Sequence, residues 1–337
     1  MGSNWNPILE ERVGDAGQSR EQSPSFAIED APAPLFRDPI FDGAADPSMA
    51  WNHETEEWWM LYTQRRANVD APGKGWIHGS EIGVATSDDG RRFLYRGTLE
   101  LDVERGHNTY WAPEILHHEG TYHLFVSYLR GVPQTWEGNR YIVHFTSPDL
   151  WNWEFEGRLS LTTEYVIDPD VHRLPDGTWR MWYKDEANES HIYTADSDDL
   201  FEWTASEESA LDDEAQEAPI VFEWRDRFWQ LTDSWDGLSV YRSPDGEEWE
   251  AQPDGLLTGE GQRPCDDFQG GHPDVFVVGD RAYILYHVHQ PAAGQRYETG
   301  MGKARQTVLQ VAELEVEVED GWLVCDRDRY AGDVTEA

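Results

Sequence analysis

The chain has 337 residues, with 26 Lys and Arg against 66 Asp and Glu and a formal net charge of −40. That charge repels phosphate backbones and anionic bilayers, which excludes nucleic acid and membrane as partners. Aromatics at 13% of residues, including 17 Trp, exclude a disordered acidic chain. No apolar run reaches the roughly 18 residues of a membrane span, and the N-terminus lacks a basic and an apolar leader region. Two cysteines, Cys265 and Cys325, make no disulfide framework, so the expectation is a soluble cytoplasmic protein.

Residues 1–30 are polar and read as a lead-in, with a single domain over 31–337. The domain opens on Ala45-Asp46-Pro47-Ser48. A period-two run follows, Glu57-Trp58-Trp59-Met60-Leu61-Tyr62, and then a turn, Ser87-Asp88-Asp89-Gly90. The run is a strand by its alternation and its aromatic and aliphatic content. The turn places side-chain oxygens where they cap backbone N–H groups, and the aromatic that follows it packs an outer strand. The same order returns with Trp111-Ala112-Pro113-Glu114, the run 120–125 and Ser147-Pro148-Asp149-Leu150. It returns again with Ile167-Asp168-Pro169-Asp170, the run 177–183 and Ser197-Asp198-Asp199-Leu200. A fourth copy has Glu217-Ala218-Pro219-Ile220, the run 227–231 and Ser243-Pro244-Asp245-Gly246. A fifth has Gly271-His272-Pro273-Asp274 and the run 281–286, and the alternating stretch 310–318 completes it. Successive motif prolines are 66, 56, 50 and 54 residues apart. A unit of that length with about four short strands is a propeller blade, so the fold class is all-β, a five-bladed β-propeller.

In a propeller the innermost strands line one axial channel, and their starts meet at one end of it. Equivalent positions of the proline motifs therefore converge: Asp46, Ala112, Asp168, Ala218 and His272, with Glu217 one residue earlier in its copy. One carboxylate at a strand start is most simply a turn cap. Three in register with a histidine repel one another and cost desolvation, so stability alone does not explain them. Glycoside hydrolysis has a use for such a cluster. It needs one carboxylic acid of raised pKa to protonate the leaving oxygen and one carboxylate to activate water or attack the sugar. A third carboxylate can hold up the acid's pKa. Sugar rings also need aromatic faces. Trp111 is placed at the rim, with Trp235 and Phe268 as further candidates, and Arg263 is a candidate for binding substrate hydroxyls.

The ordered motifs Ala-Asp-Pro-Ser, Trp-Ala-Pro-acid, Ile-Asp-Pro, Glu-Ala-Pro and Gly-His resemble glycoside hydrolase family 43, from about Phe36 to Val318. The resemblance implies a five-bladed propeller and inverting hydrolysis of arabinose- or xylose-containing glycans. It makes Asp46 the general base, Asp168 the pKa modulator and Glu217 the general acid. It places His272 near a hydrated cation, often calcium, in the channel; without a metal, His272 hydrogen-bonds a neighbouring carboxylate. Two departures stand out. Glu114 replaces the usual Asp of the second motif, and Asp170 is an extra acid that strand alternation sends to the same face as Asp168. Both are substrate-binding candidates, and Asp170 competes with Asp168 for the modulator role.

Two rival functions remain. Another propeller glycosidase or a glycoside phosphorylase is one, though the lysines (Lys74, Lys184 and Lys303) make no obvious phosphate site. A catalytically silent carbohydrate-binding propeller is the other, against which the three acids argue. Excess carboxylate with so few lysines also fits a protein working in concentrated salt, where the Debye length shrinks to about 3 Å at 1 M. The sequence leaves the oligomeric state open.

Overall fold

The computed structural model describes residues 25–290 and 304–330. These form five four-stranded antiparallel sheets, each built from four consecutive strands with the first innermost. Blade 1 is β1 (Ala44–Asn52), β2 (Glu57–Gln64), β3 (Glu81–Ser87) and β4 (Leu94–Thr98). Blade 2 is β5 (Thr109–His118), β6 (Thr121–Leu129), β7 (Arg140–Ser147) and β8 (Glu154–Arg158). Blade 3 is β9 (Val166–Arg173), β10 (Trp179–Asp185), β11 (His191–Ser197) and β12 (Thr204–Leu211). Blade 4 is β13 (Glu217–Glu223), β14 (Phe228–Asp233), β15 (Leu238–Ser243) and β16 (Glu250–Ala251). Blade 5 is β17 (Gly271–Val278), β18 (Arg281–His289), β19 (Thr307–Val316) and β20 (Leu323–Val324). The fold is a five-bladed β-propeller, and the stretch from 310 lies in the third strand of the last blade.

Inner strands are buried on both faces because each blade is sandwiched between two others; all of β1 is buried. This explains runs that alternate aromatic with aliphatic rather than apolar with polar. The outermost strands carry the charge instead, as in β8, Glu-Phe-Glu-Gly-Arg, where acidic side chains guard an open sheet edge. The Ser-x-Asp turns form as expected. Ser87, Ser147, Ser197 and Ser243 each donate Oγ to the Asp two residues on, and accept that Asp's N–H, over 3.0–3.3 Å.

The proline motifs do more than start strands. The residue before each proline, Asp46, Ala112, Asp168, Ala218 or His272, has a φ of +42° to +57°. The ladder to the second strand shifts register there in every blade. These are β-bulges; proline, having no N–H, asks nothing of the ladder at that point. The freed N–H groups turn to the preceding blade. Ala112 donates to Thr63 Oγ1 at 2.8 Å, Asp168 to Ser127 Oγ at 2.9 Å and His272 to Asp233 Oδ2 at 2.9 Å.

A second tier of ties lies one step deeper. Ile115 N–H donates to Ser48 Oγ at 3.3 Å, Val221 N–H to Asp170 Oδ2 at 2.9 Å and Met49 N–H to Asp274 Oδ2 at 2.7 Å. The last of these crosses the seam between the final and first blades. The segment before β1 crosses the same seam: Phe36 and Leu309 exchange backbone hydrogen bonds at 3.2 and 2.9 Å. Phe26, within the lead-in, packs its ring on Phe276 and Tyr283 at 5.0 and 4.8 Å.

Asp274 is fully buried and also accepts Val275 N–H at 2.8 Å. Hydrogen bonds to a charged group contribute about 1.5–3 kcal/mol each. Asp274→Ala should therefore lower unfolding free energy in a urea titration by about 3 kcal/mol or more. Unchanged stability would mean that the seam does not depend on this tie.

Candidate active site

The bulge turns the side chains of Asp46 and Asp168 into the axial pocket, while Glu217 enters from one residue earlier in its blade. Asp46 is 4% exposed. Its Oδ1 lies 2.8 Å from Arg65 Nη2, 3.3 Å from His272 Nδ1 and 3.5 Å from His287 Nδ1. Burial pushes the Asp46 carboxyl up, but Arg65 and His272 outweigh it and hold it below the ordinary carboxylate range. Glu217 is the most open of the three, its side chain 24% exposed. Its Oε2 accepts Lys184 Nζ at 2.8 Å and its Oε1 accepts Trp235 Nε1 at 2.9 Å. Burial again pushes upward, yet Lys184 dominates and keeps Glu217 low. Asp168 is 5% exposed and is pushed up to about 7, first by burial and then by the charges of Glu217 and Asp46, against the opposing pull of His272 and Lys184. The site thus contains a carboxylate held ionised and a carboxyl that keeps its proton near neutrality. His272 is electrostatically coupled to all three acids.

Several sequence-based expectations need correction. Asp170 and Glu114 do not face the pocket. The bulge breaks the alternation that would have put Asp170 beside Asp168, and sends Asp170, fully buried, into the seam with blade 4. Glu114, 1% exposed, lies between blades 1 and 2, 3.4 Å from Ser48 Oγ. Arg263 is 2% exposed, and its guanidinium donates to the carbonyls of Val311 and Pro32 at 2.5 and 3.5 Å, so the structure places it in the blade 5 seam rather than at the acid cluster. Trp111 is not at the rim. It is 7% exposed and donates Nε1 to Ile77 O at 2.9 Å, beneath His78 and the exposed Trp136. Phe268 is half-buried against the core between blades 4 and 5. Trp235, 40% exposed, is at the acid cluster.

Arg65, Lys184, His287 and Asp233 escaped the sequence reading. Four register positions, Thr63, Ser127, Asp233 and His287, sit opposite Ala45, Trp111, Glu217 and Gly271, and Lys184 is the blade 3 equivalent opposite Ile167. Each lies just beyond the aromatic run of its blade, and Lys184 is one of only three lysines. That combination was the available signal. A calcium ion ligated directly by these side chains fits poorly, whereas the expected cation is a hydrated one, reached by His272 through water. His272 already addresses Asp46, and Arg65 and Lys184 occupy the acids. Among the described residues no group of three or more His, Cys, Asp or Glu side chains is arranged to hold a metal ion. No step below runs through a metal.

The Asp168 proton has a consequence for stability. Its carboxyl holds a proton up to about pH 7 in the fold but only to about 3.9 when unfolded. Stability from this group is complete below the unfolded value and is lost as pH rises through 7. Asp168→Asn should therefore raise the melting temperature at pH 8 and leave it unchanged near pH 3.5. An equal gain at both pH values would rule out a raised pKa.

The model of Glycosyl hydrolases family 43 matches residues 94–323, which leaves blade 1 with Asp46 almost wholly outside the match. A thermostable family-43 glycoside hydrolase superposes with a TM-score of 0.66 at 16% identity, covering 86% of this chain and 96% of that one. A xylan β-1,4-xylosidase from Bacillus halodurans C-125 gives 0.64 at 15% identity, covering 86% of this chain and 56% of that one. An exo-1,5-α-L-arabinanase from a bovine ruminal metagenomic library gives 0.56 at 20% identity, covering 86% and 99%. No curated protein sequence matches the chain. With its family model spanning more than half of its length over a five-bladed propeller, the chain belongs to glycosyl hydrolase family 43 and is a glycosidase.

Proposed function

We propose that this protein is an inverting glycoside hydrolase acting on arabinose- or xylose-containing glycans. The observation that carries the reading is the convergence of Asp46, Asp168 and Glu217 from three blades, with Arg65 2.8 Å from Asp46 and Lys184 2.8 Å from Glu217; neighbouring charge holds Asp46 below the ordinary carboxylate range, and burial holds Asp168 above it. Asp46 takes a proton from a water that attacks the anomeric carbon. Glu217 delivers a proton to the glycosidic oxygen as the C–O bond breaks, giving a sugar of inverted configuration and a free alcohol. Trp235 provides an aromatic face beside the donor. The pentose follows the family resemblance of the proline motifs; among the superposing structures are a xylosidase and an arabinanase, and a β-1,3-galactosidase as well.

Glu217 is the donor in this reading because it is the acid most open to the cleft. In the free site Lys184 holds its proton off while Asp168 keeps one. A sugar seated over Trp235 excludes water and raises the cost of charge on Glu217, which favours moving the proton from Asp168 to Glu217. A second reading exchanges these roles and makes Asp168 the donor, favoured by its raised pKa.

The two readings separate by leaving group. The assay uses 4-nitrophenyl pentosides, whose leaving group needs little protonation, against unactivated oligosaccharides, in roughly 1 M KCl as the carboxylate excess calls for. Glu217→Gln should lose about 100- to 10,000-fold in kcat/KM on oligosaccharides and far less on the aryl substrates. Asp46→Asn should lose similarly on both. If the leaving-group-dependent loss follows Asp168→Asn instead, Asp168 is the donor. Unchanged rates for Glu217→Gln on oligosaccharides would remove it from the chemistry.

A further inference from the structure

A file of alternating charges runs outward from Glu217. Lys184 Nζ lies 2.8 Å from Glu217 Oε2 and 3.6 Å from Glu186 Oε1, and Glu186 Oε2 lies 3.0 Å from Arg140 Nε. Arg140 is 4% exposed. Its Nη1 donates to Gly138 O at 3.0 Å and its Nη2 to the carbonyl of Trp136, so it grips the loop between β6 and β7. Trp136 is 48% exposed and covers Trp111 and His78. At the far end of the file, Trp235 holds the second oxygen of Glu217. Four charged side chains, two acidic and two basic, thus link two exposed tryptophans. Arg140 and Lys184 are almost wholly buried, where salt screens poorly and Coulomb forces carry.

We propose that Glu186 and Arg140 are positioning residues that set the proton affinity of Glu217 by dividing Lys184 between two carboxylates, and that Arg140 ties the Trp136 loop to the proton donor. This rests on Glu217 being the donor. Neither residue touches the reacting atoms; both act through Lys184. The charged groups that act on Glu217 include Lys184, His272 and Asp168, and those that act on Lys184 include Glu217, Asp168 and Glu186. Substitutions at 140 and 186 leave Asp168 and His272 in place, so a shift in the proton affinity of Glu217 reports the charge that reaches it through Lys184.

The signs of the two effects differ. Glu186→Gln frees Lys184 to serve Glu217, stabilises the ionised acid and lowers the pH at which it gives up its proton. Arg140→Met leaves Glu186 without its guanidinium, so Glu186 competes harder for Lys184 and Glu217 holds its proton to higher pH. A general distortion of the site would not produce opposite shifts.

The test is the pH profile of kcat at saturating unactivated oligosaccharide, whose alkaline limb reports the acid of the enzyme–substrate complex, where Glu217 holds the proton. Glu186→Gln should move that limb down and Arg140→Met should move it up, each by about half a pH unit. Arg140→Lys should return it toward wild type, which guards against a methionine variant that folds poorly. In the Glu186→Gln background, Arg140→Met should add no upward shift, because its route is through Glu186. Limbs that stay in place or move together would overturn the inference while leaving Glu217 as donor. Full activity of Glu217→Gln on the same oligosaccharide would overturn the donor reading itself.

Discussion

The structure depends on a constraint repeated five times: a left-handed residue followed by proline at the head of each inner strand. Such a backbone costs about 1–3 kcal/mol per non-glycine residue, and two of the five are alanines, Ala112 and Ala218. The conformation persists because the bulge releases an N–H that the neighbouring blade accepts, as at Ala112, Asp168 and His272. The same kink that ties blade to blade turns the side chain before the proline to the axis. Assembly and active-site geometry therefore share one device.

That sharing explains how a cluster of buried acids survives. Asp46, Asp168 and Glu217 repel one another, but each is anchored by a backbone that inter-blade hydrogen bonds hold rigid. Each is also met by second-strand or rim side chains that set its charge. Arg65, His272 and His287 surround Asp46, Lys184 and Trp235 hold Glu217, and Asp168 is left as the acid with the weakest compensation. Rigid elements with prearranged charges are what differential stabilisation of a transition state requires.

Much of this was legible from residues alone, because repetition made it so. Five proline motifs, five aromatic runs and four Ser-x-Asp turns fix the blade count, and the inner position of the acids follows from the topology. What alternation could not reveal was the bulge. Counting Asp168 and Asp170 as two residues apart puts them on one face; the extra residue at the bulge sends Asp170 into a seam, and Glu114 is buried between blades in the same way. Arg263 looked like a loop arginine, yet its partners are carbonyls far away in sequence, visible only once the ring closes. Lys184, Glu186 and Arg140 were missed because their meaning lies in a network across two blades that no local pattern encodes. The acidic coat divides likewise, with exposed carboxylates on outer strands such as β8 and the buried acids at strand heads.

The central claim is that Asp46 and Glu217 act from opposite sides of the scissile bond, one on water and one on the leaving oxygen. Proton NMR of the sugar released in the first minutes, before mutarotation, tests it most directly. With the two acids on opposite sides, the first anomer seen has the configuration opposite to that of the substrate. A first product that keeps the substrate's configuration would contradict it and make one of these acids a covalent nucleophile.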